Sequence, residues 1–389
     1  MKLFRILIIA AAIALEVLAA PQAIAQSFRA ERFLQGRPII SAETFRSVGA
    51  TDFESANING PSVIRVPEWI PPEHRASPRA EYYLYFAHHS GHYIRMAWAE
   101  RLDGPWQLYN TGKDILDEHR GVLDIGEDQL RELGNGLAIR GHVASPDVHI
   151  DAVQQRIVMY FHGRVLFRGA TKKEQKSFVA TSSWGLNFSG DIKPVLLGPS
   201  YFRVFQHEDT LYGLSKKHLF QALDISKPWS EPRDFQYGRN LWTKNKMHFF
   251  HKEACATPEK ASAEARAQPA LRAPTMRHTG LYKSDNFLHV FYTCRGHSPE
   301  RILTASVDPS LKNWQQLPWS TGPYEILRPE LDWEGVNAPQ VPSLSGKATG
   351  EKNEIRDPFI FEDNGKLYLF YVGGGEQAIG LAQIDEVSP

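Results

Sequence analysis

The most constraining feature of the sequence is a unit of three strand-like segments that recurs five times. The centre of each unit is an apolar run rich in Tyr, Phe, Leu and Val, which strands favour. The central runs are EYYLYFAHHSGH at 81–92, RIVMYFHGR at 156–164, DTLYGLSKK at 209–217, NFLHVFYTCRGH at 286–297 and KLYLFYVGGGE at 366–376. Because the order of segments is the same each time, we expect a fold built from five similar units.

A shorter segment precedes each central run, and a third segment follows it. The preceding segments open at a small residue and proline, or at Asp and proline in the last: GPSVIRV from Gly60, SPDVHID from Ser145, GPSYFRV from Gly198, APTMRHT from Ala273 and RDPFIFED from Arg356. The following segments are IRMAWAE at 94–100, SFVATSS at 177–183, HLFQALD at 218–224, RILTASVD at 301–308 and AIGLAQI at 378–384. This repeated order of three segments predicts an all-β fold, a five-bladed β-propeller whose blades begin at about 61, 146, 199, 274 and 358.

The uneven spacing of the units predicts loop insertions, mainly at 107–144 and 230–272. A sandwich or barrel with five hairpins is the alternative, but it does not explain why the same three segments recur. The last segment ends close to the end of the sequence. We therefore expect residues before Asn59 to pair with the last blade and so remove two exposed sheet edges. One propeller domain would then span 26–389.

The start of the sequence has the pattern of a targeting signal. Two basic residues precede an apolar run at 6–15, and the tripeptide AIA at 23–25 fits the small-x-small rule for cleavage. The pattern predicts a signal peptide over 1–25, cut before Gln26, and a secreted or periplasmic protein without membrane association after cleavage. An uncleaved membrane anchor is the alternative.

Composition excludes one class of partner and permits one covalent link. The chain has 44 Lys and Arg against 44 Asp and Glu, a balance that argues against binding to nucleic acid. Export would permit disulfides. Cys255 and Cys294 are the two cysteines, so they form either one bridge or two buried thiols.

Four stretches resemble a known group of propeller enzymes. They are SPDV at 145–148, RLDGPW at 101–106, SWGLNF at 183–188 and RDP at 356–358 with its Phe-Tyr strand. The sequence resembles the five-bladed propeller glycosidases, the arabinanase, levansucrase and invertase-like superfamily that includes glycoside hydrolase families 43, 62, 32 and 117. The resemblance implies a glycoside hydrolase acting on furanosides or related glycans. It requires no cofactor, and it implies a calcium ion at the propeller axis.

In the family 43-like enzymes of that superfamily, carboxylates at the first-strand starts of three blades act as base, pKa-modulating Asp and general acid. Asp147 matches the second-blade position. The first-blade position reads NGPS at 59–62 and the third reads PSYFR at 199–203, both without a carboxylate. The match therefore covers one of the three positions.

Propeller topology predicts where a site would form. First-strand starts and the loops after second strands share one face, where the axial pocket opens. Glycosidic cleavage usually needs two carboxyl groups, and the catalytic candidates are Asp147, Asp357 and Glu376. The candidates for binding a carbohydrate substrate are His88, His89, His162, Arg164, Tyr201, Arg277, Arg295, His297 and Arg356. The acidic pairs at 208–209 and 362–363 fall on the opposite face.

Each catalytic candidate also has a plain structural interpretation. Asp147 can cap a strand, Asp357 can pair with Arg356, and Glu376 can be a solvated loop residue. Strand alternation would place Val148 between blades and turn Asp147 toward the axial pocket. Three functions remain open from the sequence: a glycoside hydrolase, a non-catalytic carbohydrate-binding propeller and a scaffold for protein contacts.

Overall fold

The computed structural model describes residues 27–116, 119–127, 130–134, 137–167, 174–189, 198–216, 218–221, 247–248, 255, 274–316 and 319–387. Within these residues the chain forms five antiparallel sheets of four or five strands. Ahead of the first full sheet come β1 (Ser27–Arg32), β2 (Ile40–Ser41), α1 (Ala42–Ser47) and α2 (Asp52–Ser55). The five-bladed propeller is confirmed, and the sandwich or barrel alternative is wrong.

Each blade is one of these sheets. Blade 1 contains β3 (Asn59–Arg65), β4 (Tyr82–Ala87), β5 (Tyr93–Ala99), β6 (Gln107–Tyr109) and β7 (Leu123–Asp124). Blade 2 contains β8 (Leu130–Gly134), β9 (Leu137–Asp151), β10 (Arg156–Phe167), β11 (Glu174–Ser182) and β12 (Gly198–Pro199). Blade 3 contains β13 (Phe202–His207), β14 (Thr210–Ser215), β15 (His218–Gln221) and β16 (Met247–His248).

The last two blades complete the ring. Blade 4 contains β17 (Thr275–Lys283), β18 (Leu288–Arg295), β19 (Ile302–Val307) and β20 (Thr321–Leu327). Blade 5 contains β21 (Ile355–Asp363), β22 (Lys366–Gly373) and β23 (Ala378–Val387), joined by β1 and β2. Short 3-10 helices lie at Leu34–Gly36, Pro72–His74, Trp314–Gln316 and Asp332–Glu334.

Two details of the predicted organisation are wrong. The segment 107–144, expected as a loop, contributes strands to blades 1 and 2. Gly198 and Pro199 were expected to open blade 3, but they pair with β11 as the outermost strand of blade 2. Blade 3 begins at Phe202 because Tyr201, with a φ of 68°, turns the chain between the two blades. Most of the segment 230–272 lies outside the described residues.

The ring closes through the N-terminal strand. β1 pairs antiparallel with β23, from Ser27 opposite Val387 to Arg32 opposite Ala382. β2 pairs with the other end of β23, with Ile40 opposite Ile379. The expectation that residues before Asn59 pair with the last blade is confirmed. The edge of β23 is thereby paired instead of exposed.

Each interface between neighbouring blades holds its own cluster of buried apolar side chains. Blades 1 and 2, for example, bury Tyr85 with Met159, and blades 5 and 1 bury Phe86 with Phe370. Both faces of a blade are therefore covered by its neighbours. This explains why the central runs are almost continuously apolar instead of alternating.

Cys255 and Cys294 form a disulfide across 39 residues of sequence, so the alternative of two buried thiols is wrong. The bridge ties the segment around Cys255 to β18. Replacing both cysteines with Ser is expected to lower the free energy of unfolding by about 2–4 kcal/mol, because the unfolded chain regains loop entropy. Urea unfolding under oxidising conditions measures the difference. Equal unfolding midpoints for both proteins would contradict the expectation.

The predicted signal peptide at 1–25 lies outside the described residues and stays a prediction. Among the residues described here, the helices are all too short to cross a bilayer.

Candidate functional site

The axial ends of the first strands share an irregular backbone. Register shifts between first and second strands fall at 59–62 in blade 1, 276–279 in blade 4 and 356–359 in blade 5. Such bulges re-aim the side chains beside them. Ser145 and Asp357 both have a φ of 51°, in the left-handed region. Non-glycine residues pay a strain cost there, and such residues cluster at functional sites.

These strand ends surround a pocket on the propeller axis, with about 240 Å³ of empty space that includes its open mouth. Blades 1, 2, 4 and 5 contribute to the lining, and Tyr201 contributes from the turn between blades 2 and 3. The lining residues are Asn59, His89, His142, Ala144, Ser145, His162, Tyr201, His278, Asp357 and Glu376. Four imidazoles, a phenol and two carboxylates therefore meet in one small space.

Asp357 is a buried carboxylate at the start of β21. Its Oδ1 lies 2.5 Å from Nδ1 of His278, and its Oδ2 accepts a hydrogen bond of 3.1 Å from the backbone N–H of Gly60. Burial by itself would raise the pKa of Asp357. The neighbouring His278, Arg356 and Arg277 outweigh burial and hold that pKa well below its ordinary value. Asp357 is therefore ionised at neutral pH.

Glu376 is the second buried carboxylate, and it follows the glycines at the end of β22. Its Oε2 accepts a hydrogen bond of 2.5 Å from Nδ2 of Asn57, and its Oε1 accepts one of 3.0 Å from Nη1 of Arg356. Nδ1 of His89 lies 3.3 Å from the same Oε1. Burial would raise the pKa of Glu376, but His89 and Arg356 lower it below its ordinary value. Glu376 is also ionised.

The two imidazoles that blade 2 contributes to the pocket, His142 and His162, are neutral. Burial lowers the pKa of His142 to about 4, and burial also holds the pKa of His162 well below its ordinary value. The ring of His162 lies 4.5 Å from that of Tyr201 and 5.3 Å from that of His142. Within the part of the chain that the structure describes, neither ring nitrogen of His162 has a hydrogen-bond partner. An orphaned imidazole at 2% exposure marks a position where a ligand can supply the missing bonds.

Arg356 links the pocket to a buried network of charges. It is 1% exposed, and besides Glu376 it contacts Glu354 and lies 3.7 Å from Oε2 of Glu300. Glu300 in turn lies 3.1 Å from Nη1 of Arg277. Arg356 therefore orients Glu376 from the side away from the pocket and is not itself part of the pocket lining.

Comparison with known proteins gives one relative in sequence. The chain is 30% identical over 333 residues to the uncharacterized protein R118 of Acanthamoeba polyphaga mimivirus, across 84% of this chain and 83% of that protein. The chain belongs to the family of this viral protein. No protein-family model matches the sequence.

Solved structures with a similar fold include glycoside hydrolases, the group that the sequence motifs resemble. A thermostable family-43 glycoside hydrolase has 11% identity and a TM-score of 0.49, covering 86% of this chain and 90% of its own. An exo-1,5-α-L-arabinanase from a bovine ruminal metagenomic library has 12% identity and a TM-score of 0.46, covering 85% and 93%. These values concern the fold alone, and the fold assignment rests on the five sheets of this chain.

The predicted site residues divide into two groups in this family member. Five line the axial pocket: Asp357, Glu376, His89, His162 and Tyr201. The others lie outside the lining: Asp147, His88, Arg164, Arg277, Arg295, His297 and Arg356. His88 packs against Phe53 at a ring distance of 4.5 Å, and Nε2 of His297 lies 3.2 Å from the carbonyl oxygen of Cys255. As predicted, the opposite face holds Asp363, which pairs with Arg65 at 2.8 Å.

His142 and His278 line the pocket but are not among the predicted site residues. His278 follows Arg277 in the preceding segment of blade 4, and the bulge there turns His278 to the axis. Such bulges recur at the first-strand starts of blades 1, 4 and 5, and a bulge predicted at this position would have indicated that His278 faces the axis. His142 lies in the stretch expected to be a loop, and no pattern in the sequence distinguishes it.

The expected orientation of Asp147 is wrong. Its Oδ2 accepts a hydrogen bond of 2.8 Å from the backbone N–H of Val204 in blade 3, and its Oδ1 lies 3.5 Å from Nη1 of Arg203. Val148 on the opposite side of the strand packs toward blade 1. Alternation along a propeller strand points side chains at the two neighbouring blades, and only the strand end reaches the axis.

Replacing Asp147 with Asn is therefore expected to lower stability by about 1–3 kcal/mol, because a buried carboxylate loses charge-assisted bonds. His149, Arg203 and the N–H of Val204 hold the pKa of Asp147 below its ordinary value, although burial opposes them. Because the pKa of Asp147 is lower in the folded chain than in the unfolded chain, its ionised form stabilises the fold above about pH 4. This stabilisation is lost as the pH falls through the folded-state pKa. In thermal unfolding from pH 7 to pH 2, the melting temperature of the variant should fall less steeply with decreasing pH than that of the unchanged protein. An equal decrease in both proteins would exclude this role.

The residues of the pocket do not fit the calcium ion that the resemblance implies. Calcium takes six to eight oxygen ligands, whereas the described lining is rich in imidazole and its carboxylates already pair with His278, Arg356 and His89. Among the residues that the structure describes, no group of three or more His, Cys, Asp and Glu side chains has the arrangement of a metal site.

Proposed function

We propose that the chain is a glycoside hydrolase that holds a sugar residue in the axial pocket. The observation that carries the proposal is the convergence of two buried, ionised carboxylates, Asp357 and Glu376, with the unpartnered imidazole of His162. Carboxylates supply the base or nucleophile of glycosidic cleavage. Neutral imidazole both donates and accepts hydrogen bonds, as sugar hydroxyls do.

Asp357 is the proposed base or nucleophile. Its backbone is fixed at the strand start and its side chain is oriented by His278 and Gly60. Both contacts are made by groups of other blades, so the carboxylate cannot turn away without breaking them. An ionised carboxylate can take a proton from water or attack the anomeric carbon directly.

The general acid is proposed to be His89. Glu376 is ionised and cannot donate a proton, which removes the usual carboxylic acid. His89 lines the pocket next to Glu376, and 22% of its side chain is exposed. Imidazole is a common general acid and can donate a proton to the leaving oxygen of a glycoside. Glu376 would then act as a positioning residue for His89.

One observation favours a second function, a non-catalytic carbohydrate-binding propeller. Both carboxyl groups that line the pocket are ionised, so the pocket lacks the protonated carboxyl that a glycosidase ordinarily uses. The same imidazoles would then only bind sugar hydroxyls.

Release of reducing sugar from a panel of polysaccharides and aryl glycosides, including α-L-arabinofuranosides, tests the two functions. We expect turnover of at least one member by the purified protein, and loss of that turnover in His89→Ala. Binding of a panel member without any release of sugar would instead support the binding propeller. Turnover that survives the loss of His89 would remove that residue as the acid.

A further inference from the structure

Two cations stand at equivalent places beside the pocket, at the axial ends of the second strands of blades 3 and 4. Lys216 directly follows β14 with a left-handed φ of 54°, and Arg295 ends β18. The ammonium of Lys216 lies 5.3 Å from the centre of the Tyr201 ring, and Tyr201 lines the pocket. The two cations therefore border the side of the pocket that faces blades 3 and 4.

These two cations differ from the other basic residues of the site in their partners. Arg356 pairs with Glu376 and Arg277 pairs with Glu300. Arg295 donates a hydrogen bond to the hydroxyl of Ser345, and among the described residues neither Arg295 nor Lys216 has a carboxylate partner. Partial burial and the nearby Arg295 and Arg277 all lower the pKa of Lys216.

The carboxylates lie on another side of the pocket. Both Asp357 and Glu376 belong to blade 5; His278 contacts Asp357, and Arg356 and His89 contact Glu376. An incoming sugar would therefore meet negative charge at blade 5 and, at blades 3 and 4, two cations that have no carboxylate partner among the described residues. A sugar that carries one anionic group can satisfy both sides at once.

We propose that the axial pocket selects a sugar whose anionic substituent, a carboxylate or a sulfate ester, binds between Lys216 and Arg295. The proposal rests on the proposed function only in taking the ligand to be a saccharide. The sugar ring would then lie over Tyr201, with hydroxyls in reach of His162. Binding does not require hydrolysis, so a binding measurement separates this proposal from the catalytic one.

Titration calorimetry with matched sugars tests the proposal. The probes are glucose, galactose and mannose, the uronate of each, and galactose 6-sulfate. Because charge-assisted hydrogen bonds are the strong ones, we expect at least one acidic sugar to bind about 10- to 100-fold more tightly than its neutral partner. Tighter binding of the uronates than of galactose 6-sulfate would identify carboxylate as the natural substituent, and the reverse order of affinities would identify sulfate.

Lys216→Met and Arg295→Met should each abolish most of the preference for the acidic sugar over its neutral partner. The affinity for the neutral sugar should stay the same. The matched control is Lys366→Met, an exposed lysine at the start of β22 on the opposite face, which should keep the preference intact. The proposal would be overturned if none of the acidic sugars bound more tightly than its neutral partner. A preference for acidic sugars that survives in both variants would also overturn it, whether or not the protein hydrolyses any glycoside.

Discussion

Asp357→Asn is expected to reduce kcat/KM for the best substrate of the panel by about 100- to 10,000-fold, the range that a positioned proton-transfer group contributes. Asn keeps the shape of the side chain and its contact with the N–H of Gly60. It removes the negative charge that takes the proton or attacks the sugar. Steady-state kinetics and melting temperature, measured on the same preparation, separate loss of chemistry from loss of folding.

Asp363→Asn is the matched control for that experiment. Asp363 ends the same strand on the opposite face, where it pairs with Arg65 and accepts a hydrogen bond of 2.9 Å from the hydroxyl of Tyr82. The control variant should keep the activity of its folded fraction. Full activity of Asp357→Asn, or equal losses in the two variants, would remove Asp357 from the chemistry.

Glu334→Ala is expected to produce the largest loss of stability, about 3–5 kcal/mol, because it leaves a partly buried arginine without its buried charge partner. Glu334 is fully buried and binds Nε of Arg32 at 2.8 Å and the hydroxyl of Tyr371 at 2.7 Å. Arg32 belongs to the strand that closes the ring. The substitution therefore loosens the closure of the propeller as well as one ion pair.

Glu330 offers a matched control because it contacts the same guanidinium, at 2.6 Å, but its side chain is 59% exposed. Exposed ion pairs contribute about 1 kcal/mol or less. Urea unfolding should therefore give Glu330→Ala a midpoint close to that of the unchanged protein and Glu334→Ala a much lower one. Similar midpoints for the two variants would show that the buried pair does not hold the ring closed.

The sequence predicts the fold well because five central runs share one order of strands. Ring closure is predictable too, since an unpaired strand of the last blade would leave an edge that needs a partner. The site is harder. Asp357 and Glu376 follow from topology, which places strand starts and the loops after second strands on one face.

The errors come from local geometry that composition does not encode. Asp147 was misplaced because alternation in a propeller strand points to neighbouring blades and not to the axis. His278 was missed because a bulge turns it inward. The pKa values of Asp357 and Glu376 depend on His278, Arg356 and His89, which come from three blades, so no local pattern shows that both carboxylates are ionised.

A crystal structure of the Asp357→Asn protein with the saccharide that binds best tests the central claim most directly. The account predicts one sugar residue in the axial pocket, with a hydroxyl hydrogen-bonded to a ring nitrogen of His162 and the glycosidic bond between position 357 and His89. Density for the saccharide at another place on the propeller, with the axial pocket unchanged, would contradict it.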